Sequence, residues 1–132
     1  MKNLNESSTA IFQKIIAIAK QNEEHYTKIQ NNQSFMALSV ERVECLTIGE
    51  IWSFCHYGEQ SGDLMRDPEV TFLVYPNQFV FPLSFRNDYL GINRESVFFE
   101  DGKPTRFLKR EYNDLRSFCH SWLKNIKHQQ FS

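Results

Sequence analysis

The side chains best suited to chemistry are concentrated in one segment of the chain. His56, Glu59, Asp63, Asp67 and Glu69 lie within the sequence HYGEQSGDLMRDPE. Carboxylates and an imidazole can bind divalent cations or transfer protons in acid–base catalysis. Their spacing matches no established metal-binding motif such as HExxH. Two interpretations follow: a metal or acid–base site, and the preferred one, in which Asp63 and Asp67 stabilise turns by bonding nearby backbone amides.

Two cysteine–histidine pairs are adjacent in sequence, but neither is spaced as a nucleophile and its base. Cys55 and His56 fall in a predicted strand, where neighbouring side chains point to opposite faces. Cys119 and His120 fall in a predicted helix, where neighbours are separated by about 100 degrees. Together with Cys45 these cysteines form no CxxC pair. We therefore expect reduced, buried thiols and neither a disulfide framework nor a zinc site.

A second set of charged side chains lies near the C-terminal end. Basic residues outnumber acidic ones from Lys103 to His128, and the reverse holds from Glu41 to Glu69. The sequence thus predicts an acidic side and a basic one. The net charge of only −1 argues against bulk attraction to nucleic acid or membrane. The basic residues that could contact RNA, or simply form a solvated helix face, are Arg106, Lys109, Arg110, Arg116, Lys124 and Lys127.

Length and composition are those of one soluble globular domain. The 132 residues are 41% hydrophobic and 23% charged, and we expect only residues 1–7 and 129–132 to be flexible. The chain contains no signal peptide and no apolar run able to span a bilayer, so we expect a cytoplasmic protein. Twelve phenylalanines predict an aromatic core, with apolar surface left over for a partner.

The hydrophobic pattern predicts two helices on either side of about five strands. A helix is expected over residues 8–29 and another of about five turns over residues 108–126. Alternating apolar residues predict strands at 35–44, 51–57, 70–75, 79–85 and 91–100. Consecutive strands with short links favour an antiparallel meander. The predicted fold is therefore α+β, with an antiparallel sheet packed by an N-terminal and a C-terminal helix.

Glycine and proline give two more local predictions. Gly58, Gly62 and Pro68 predict a long, structured loop between the second and third strands, which would display the acidic side chains to solvent. Pro82 lies inside the fourth strand and lacks a backbone donor, so that strand should be at an edge or bulged.

Several short blocks of the sequence resemble one family of bacterial proteins. The blocks are His56-Tyr57, Gly62-Asp63-Leu64, Asp67-Pro68-Glu69, Pro82, Arg86-Asn87-Asp88, Leu90-Gly91, Phe118, Trp122-Leu123-Lys124-Asn125-Ile126-Lys127 and Gln129. Members are known only as a domain of unknown function and are often carried on conjugative transposons, plasmids and other mobile elements. The resemblance covers residues 36–130 and implies a genetic context without any reaction or active site. Gly58 departs from it, because a larger residue is expected after Tyr57.

These observations lead to one functional hypothesis and one alternative. We expect a non-enzymatic accessory protein of a mobile element that inhibits a host restriction enzyme or RNA-guided nuclease, the latter being anti-CRISPR activity. It would act through protein contact, with RNA as a further partner, and would need no cofactor. Its surfaces would be the acidic loop from His56 to Glu69 and the basic helix from Arg106 to Lys127. The alternative is a small metal-dependent enzyme centred on His56, Asp63 and Asp67.

Overall fold

The central element of the fold is a six-stranded antiparallel sheet whose strands lie in chain order. In the computed structural model, which describes all 132 residues, the strands are β1 (Tyr26–Ile29), β2 (Leu38–Cys45), β3 (Glu50–Gln60), β4 (Asp63–Val74), β5 (Val80–Asn87) and β6 (Ile92–Glu95). A separate hairpin follows, formed by β7 (Val97–Glu100) and β8 (Lys103–Phe107). Helix α1 (Glu6–Ala19) precedes the sheet, and α2 (Lys109–Gln130) follows the hairpin. The predicted α+β class with a helix at each end is confirmed.

Both helices pack on one face of the sheet, where the larger hydrophobic core lies. The ring of Phe12 in α1 is stacked on Phe54 of β3 with a centroid distance of 4.7 Å. It meets Phe72 of β4 edge-on at 4.9 Å, a favourable arrangement of aromatic quadrupoles. The residues that α2 adds to this core are Leu115, Cys119, Trp122, Leu123 and Ile126. The predicted aromatic core is therefore present, and it fixes both helices against the same side of β3 and β4.

The N-terminal helix is shorter than its sequence pattern predicted. It ends at Ala19, and the residues assigned to its polar half form a turn and then β1. The side-chain amide of Asn22 donates to the carbonyl oxygen of Tyr26 and accepts from its backbone N–H. Because asparagine competes with the helix for backbone hydrogen bonds, it favours this early ending.

The opposite face of the sheet is only partly covered. Val97 and Phe99 of the β7–β8 hairpin pack against Leu73 and Leu83 in a smaller hydrophobic core. We predicted a single strand over residues 91–100, but the chain is divided at Ser96 into β6, which pairs with β5, and β7, which pairs with β8. The chain therefore leaves the ladder after β6 and forms the hairpin, which covers one end of this face.

Pro82 produces the bulge that its position predicted. In the β4–β5 ladder, Thr71 is paired with Ser84 and Phe72 with Pro82, so Leu83 is an extra residue on β5. On its other side β5 pairs with β6 only over residues 84–87. Because β6 does not pair with Pro82, the missing backbone N–H of Pro82 costs no hydrogen bond to β6.

Both ends of the chain, residues 1–7 and 129–132, contain groups that are hydrogen-bonded to the rest of the domain. The guanidinium Nε of Arg116 donates to the carbonyl oxygen of Asn3 at 2.7 Å. At the other end Gln130 is only 3% exposed. Its side-chain oxygen accepts from the backbone N–H of Asn32, and its side-chain nitrogen donates to the carbonyl oxygen of Met36. The loop between β1 and β2 is thereby attached to the end of α2.

Candidate binding surface

The segment that we predicted as a long acidic loop is the end of a regular hairpin. β3 continues to Gln60 and β4 begins at Asp63, with direct pairing up to these residues. The turn consists of Ser61 and Gly62, whose φ angles are 53° and 86°. Two residues with positive φ match the twist of a tight β-hairpin. The prediction of a long loop over residues 58–68 is therefore wrong, because backbone pairing continues almost to the tip.

Pro68 and Gly58, which suggested a break in the strands, are accommodated within the β3–β4 ladder. Asp67 and Pro68 form a bulge in β4, where they face the single residue His56 of β3. At Gly58 the hydroxyl end of the Tyr89 side chain occupies the space that a Cβ atom would need. Tyr89 thus takes the place of the larger side chain that the family resemblance leads us to expect at position 58.

The five residues of the predicted acidic surface do not converge. Strand alternation places Glu59 and Glu69 on the face opposite the helices, and Asp63 is exposed beside the turn. His56 lies on the helix-covered face and is only 7% exposed, with Asp67 as its charged neighbour. They therefore form no single acidic surface, and His56 is not available to an external partner.

His56 has a structural role. Its Nδ1 lies 2.9 Å from the carbonyl oxygen of Ala37, so the Nδ1–H donates and joins β3 to the loop before β2. The ring meets Trp122 of α2 edge-on at 5.5 Å. Burial lowers the pKa of His56, and this outweighs the opposing effects of the Ala37 hydrogen bond and the Asp67 charge. The imidazole is therefore neutral near neutral pH, and its Nδ1–H is bonded within the domain.

Glu69 belongs to a network of hydrogen bonds and ion pairs on the face opposite the helices. The hydroxyl of Ser53 donates to its Oε2 at 2.7 Å, and the Nε of Arg66 lies 3.4 Å from its Oε1. The next member, Asp88, accepts from the backbone N–H of Arg66 at 2.8 Å and from the Nε of Arg86 at 3.0 Å. These donors, above all the Arg66 N–H, lower the pKa of Asp88. The charge of Glu69 is thus compensated within the protein.

The six basic residues do not form one basic helix face. Arg106 lies in β8 and not in α2, with its guanidinium 4.4 Å from the ring centroid of Phe98. Arg116 is bonded to the N-terminal segment, as described above. The members of this basic set that are exposed on α2 are Lys109, Arg110, Lys124 and Lys127. The first and last of these are about 27 Å apart along the helix at 1.5 Å per residue, so their positive charge is spread thinly.

The cysteine–histidine pairs have structural surroundings. Cys55 is 1% exposed, and burial together with the charge of Glu69 raises the pKa of its thiol to about 12. Burial also raises the pKa of Cys119. The Nε2 of His120 accepts a hydrogen bond from the backbone of α1's capping residue. Cys45 is exposed, which corrects our expectation that all three thiols are buried.

The geometry provides no ligand set for a metal ion. No group of three or more histidine, cysteine, aspartate or glutamate side chains lies close enough together to hold one. In the metal-dependent alternative, His56, Asp63 and Asp67 would have to converge, but Asp63 is exposed at the hairpin tip whereas His56 is buried under α2.

The feature that sequence reasoning missed is a groove on the sheet face opposite the helices. It has a volume of about 530 Å³ and lies over β1, β2, β3 and the start of β4. Its floor contains Ser39, Ser53 and Cys55, which cross-strand pairing places side by side. The β7–β8 hairpin covers the other end of this face and leaves the groove open. We call it the β1–β3 groove.

Exposed apolar side chains surround the β1–β3 groove. Leu64 is 70% exposed and Tyr57 42% exposed, both at the end of the β3–β4 hairpin. On the other side Met36 is 40% exposed and Tyr26 38% exposed. Exposed apolar side chains that frame a groove in this way are typical of interaction sites in soluble proteins.

Strand register defines the chemistry of the sheet face around the groove. One cross-strand row is Tyr26, Glu41, Ser53, Thr71, Ser84 and Glu95. The next row is Lys28, Ser39, Cys55, Glu69, Arg86 and Asn93. Hydroxyl and charged side chains are therefore mixed on this surface, which provides hydrogen-bonding groups inside an apolar rim.

Together these features define a small α+β domain whose meander sheet is covered by helices on one face and half open on the other. The chain belongs to the family described as Domain of unknown function (DUF6908), whose model matches residues 10–132. The match includes most of α1, which lies outside the resemblance of sequence blocks. No curated protein and no solved structure matches the chain. Neither helix is both long and apolar enough to cross a membrane.

Proposed function

We propose that the protein is a non-enzymatic binding module that holds a partner protein on the β1–β3 groove. The observation that carries this proposal is the apolar rim formed by Tyr26, Met36, Tyr57 and Leu64. Apolar surface removed from water contributes about 25 cal/mol per Å², so a partner that covers this rim gains binding free energy. The polar floor would supply hydrogen bonds that select among partners.

The groups that could have supported catalysis already have partners within the domain. His56 donates to Ala37, and Glu69 accepts from Ser53. The Cys55 thiol borders the groove, but its raised pKa disfavours the thiolate that a nucleophile requires. Binding therefore accounts for the surface better than turnover of a substrate does.

The partner that we propose is a host defence nuclease of the restriction or RNA-guided type, encountered in the cytoplasm by a protein of a mobile element. Support for this step comes from the resemblance of the sequence blocks to proteins carried on mobile elements, and from the small size of the domain, because an inhibitor needs only a surface of about 800 Å² on its side. RNA would be a secondary contact, at the exposed basic residues Lys109, Arg110, Lys124 and Lys127.

A plasmid transformation assay tests this function. Cells carrying either a restriction system or an RNA-guided nuclease are transformed with a targeted and a non-targeted plasmid. We expect the protein to raise the relative efficiency of the targeted plasmid at least tenfold, and a Tyr57→Ala/Leu64→Asp variant to lose this effect. The matched control is Leu90→Asp, because Leu90 is 69% exposed but lies outside the groove.

Absence of protection against every system, with the protein expressed and folded, would refute the nuclease role. Equal protection by the Tyr57→Ala/Leu64→Asp variant would refute the groove as the site of contact. As a control, circular dichroism of both variants should show that the sheet and helices are retained.

A further inference from the structure

We infer that the β1–β3 groove receives an extended, positively charged segment of the partner chain. One apolar side chain of that segment would lie beside Tyr57 and Leu64, and a lysine or arginine beside Glu41. This inference rests on the proposed function, since it specifies the partner surface that the binding module recognises.

The length of the groove fits an extended peptide. Tyr26 is in the same cross-strand row as Ser53, two strands away, and Tyr57 lies four residues further along β3. With strands about 4.8 Å apart and a rise of about 3.3 Å per residue, Tyr26 and Tyr57 are roughly 16 Å apart. A fully extended segment of about five residues spans this distance.

The charge on the sheet face around the groove favours a cationic segment. Glu41 and Lys28 line the groove, and Glu44 and Glu59 lie on the same face outside the lining. None of these three carboxylates takes part in an ion pair, and Lys28 is the one unpaired cation beside them. Because the carboxylates that Arg66 and Arg86 contact are already compensated, the remaining charge is negative. A partner with the opposite sign is complementary to it.

The aromatic and apolar side chains of the groove also fit a positively charged segment that carries an apolar side chain. Tyr26 is the direct cross-strand neighbour of Glu41 and is exposed, so its ring and that carboxylate can both contact one ammonium or guanidinium group. At the other end, Tyr57 and Leu64 form an apolar wall. Met36, on the rim across from them, has a flexible side chain that can adapt to the shape of an aliphatic group. On the floor, the hydroxyl of Ser39 can bond a peptide backbone, and that of Ser53, which donates to Glu69, can still accept from a peptide N–H.

Fluorescence anisotropy with labelled peptides tests the inference. The probes are a serine-based heptapeptide with arginine at position 2 and leucine at position 6, which an extended backbone presents on one face, its counterpart with glutamate in place of arginine, and oligouridylate RNA. We expect the arginine peptide to bind at least tenfold more tightly than the glutamate peptide. Glu41→Lys and Tyr57→Ala should each weaken its binding at least tenfold. Glu95→Lys, at the far end of the same cross-strand row, should change it less than twofold.

Equal binding of the arginine and glutamate peptides, or unchanged binding in Glu41→Lys, would overturn the inference. Preferential binding of RNA that is lost in Tyr57→Ala would replace the peptide by nucleic acid and would overturn it as well. If no peptide binds while plasmid protection still depends on Tyr57 and Leu64, only this inference fails. If the arginine peptide binds as expected but no plasmid is protected, the inference stands and the nuclease role fails.

Discussion

The Nε2 atom of His120 accepts a hydrogen bond of 3.0 Å from the backbone N–H of Asn5, the residue that caps α1. A nitrogen that accepts cannot carry a proton, so this contact requires neutral His120. Burial, and then the nearby charge of Arg116, lower the pKa of His120. His56 is also held neutral by burial. The start of α1 and the middle of β3 are thus both joined to the fold by neutral imidazoles.

This arrangement predicts lower stability in acid. Both imidazoles bind protons more weakly in the folded than in the unfolded chain, so the unfolded state takes up more protons as the pH falls. Their contribution to the free energy of unfolding is complete above the ordinary histidine pKa of 6.5. It is lost as the pH falls from 6.5 through the lowered pKa values of the folded protein. Urea unfolding should give a lower free energy of unfolding at about pH 5 than at about pH 7.5. His120→Gln, which keeps an acceptor, should cost about 1 kcal/mol or less at the higher pH and reduce the difference. If the difference in unfolding free energy between the two pH values is unchanged in both His56→Gln and His120→Gln, this account is contradicted.

Two glycines should respond differently to substitution by alanine. A Cβ at Gly49 would meet the backbone carbonyl oxygen of Val74, which cannot move without disturbing the β3–β4 ladder. We expect Gly49→Ala to lower the free energy of unfolding by about 1–3 kcal/mol. A Cβ at Gly58 would meet only the end of the exposed Tyr89 side chain, so Gly58→Ala should cost less than about 1 kcal/mol. Denaturant titration of both variants checks this, and equal losses would contradict it.

The three cysteines should differ in reactivity. Cys45 is exposed, whereas Cys55 and Cys119 are buried and burial raises the pKa of both thiols. A colorimetric disulfide reagent should therefore titrate one thiol quickly in the folded protein and three in denaturant. In Cys45→Ser the fast reaction should disappear. Fast reaction of a second thiol in the folded state would show that the core around α2 or the floor of the groove is open.

Gln130 should control the order of the loop before β2. Its buried side chain bonds the backbone of Asn32 and Met36, and Met36 lines the groove. Loss of these two part-buried bonds in Gln130→Ala should cost about 1–3 kcal/mol, because each hydrogen bond contributes about 0.5–1.5 kcal/mol. Hydrogen–deuterium exchange should become faster in residues 31–36. The half-buried neighbour Gln129 makes no such bond, and Gln129→Ala serves as control. Equal exchange in both variants would argue against this role.

The sequence was sufficient for the fold class because strand alternation and helix periodicity were strong in the core elements. Trp52 and Phe54 were correctly assigned to the buried face of the second predicted strand. The short strand β1 was missed because its outward-facing residues, Tyr26 and Lys28, resemble the polar end of a helix. Its identity as a strand depends on pairing with β2, which no local pattern specifies.

The candidate site was harder to predict because it depends on register. Glycine and proline near the β3–β4 turn suggested a long loop, although Ser61 and Gly62 alone make the turn. The groove brings together Tyr26, Met36 and Leu64, which are far apart in sequence and meet only after three strands align. One signal was available: the alternation that buried Trp52 also placed Tyr57 on the opposite face.

The central claim is that the rim of the β1–β3 groove binds the partner. The most direct measurement is isothermal titration calorimetry of the purified protein with the nuclease against which it protects, for the wild type, Tyr57→Ala/Leu64→Asp and Leu90→Asp. We predict that Leu90→Asp keeps the wild-type affinity within about twofold, whereas the double variant binds at least a hundredfold more weakly, a loss of about 2.8 kcal/mol. A correctly folded double variant with wild-type affinity would contradict the claim.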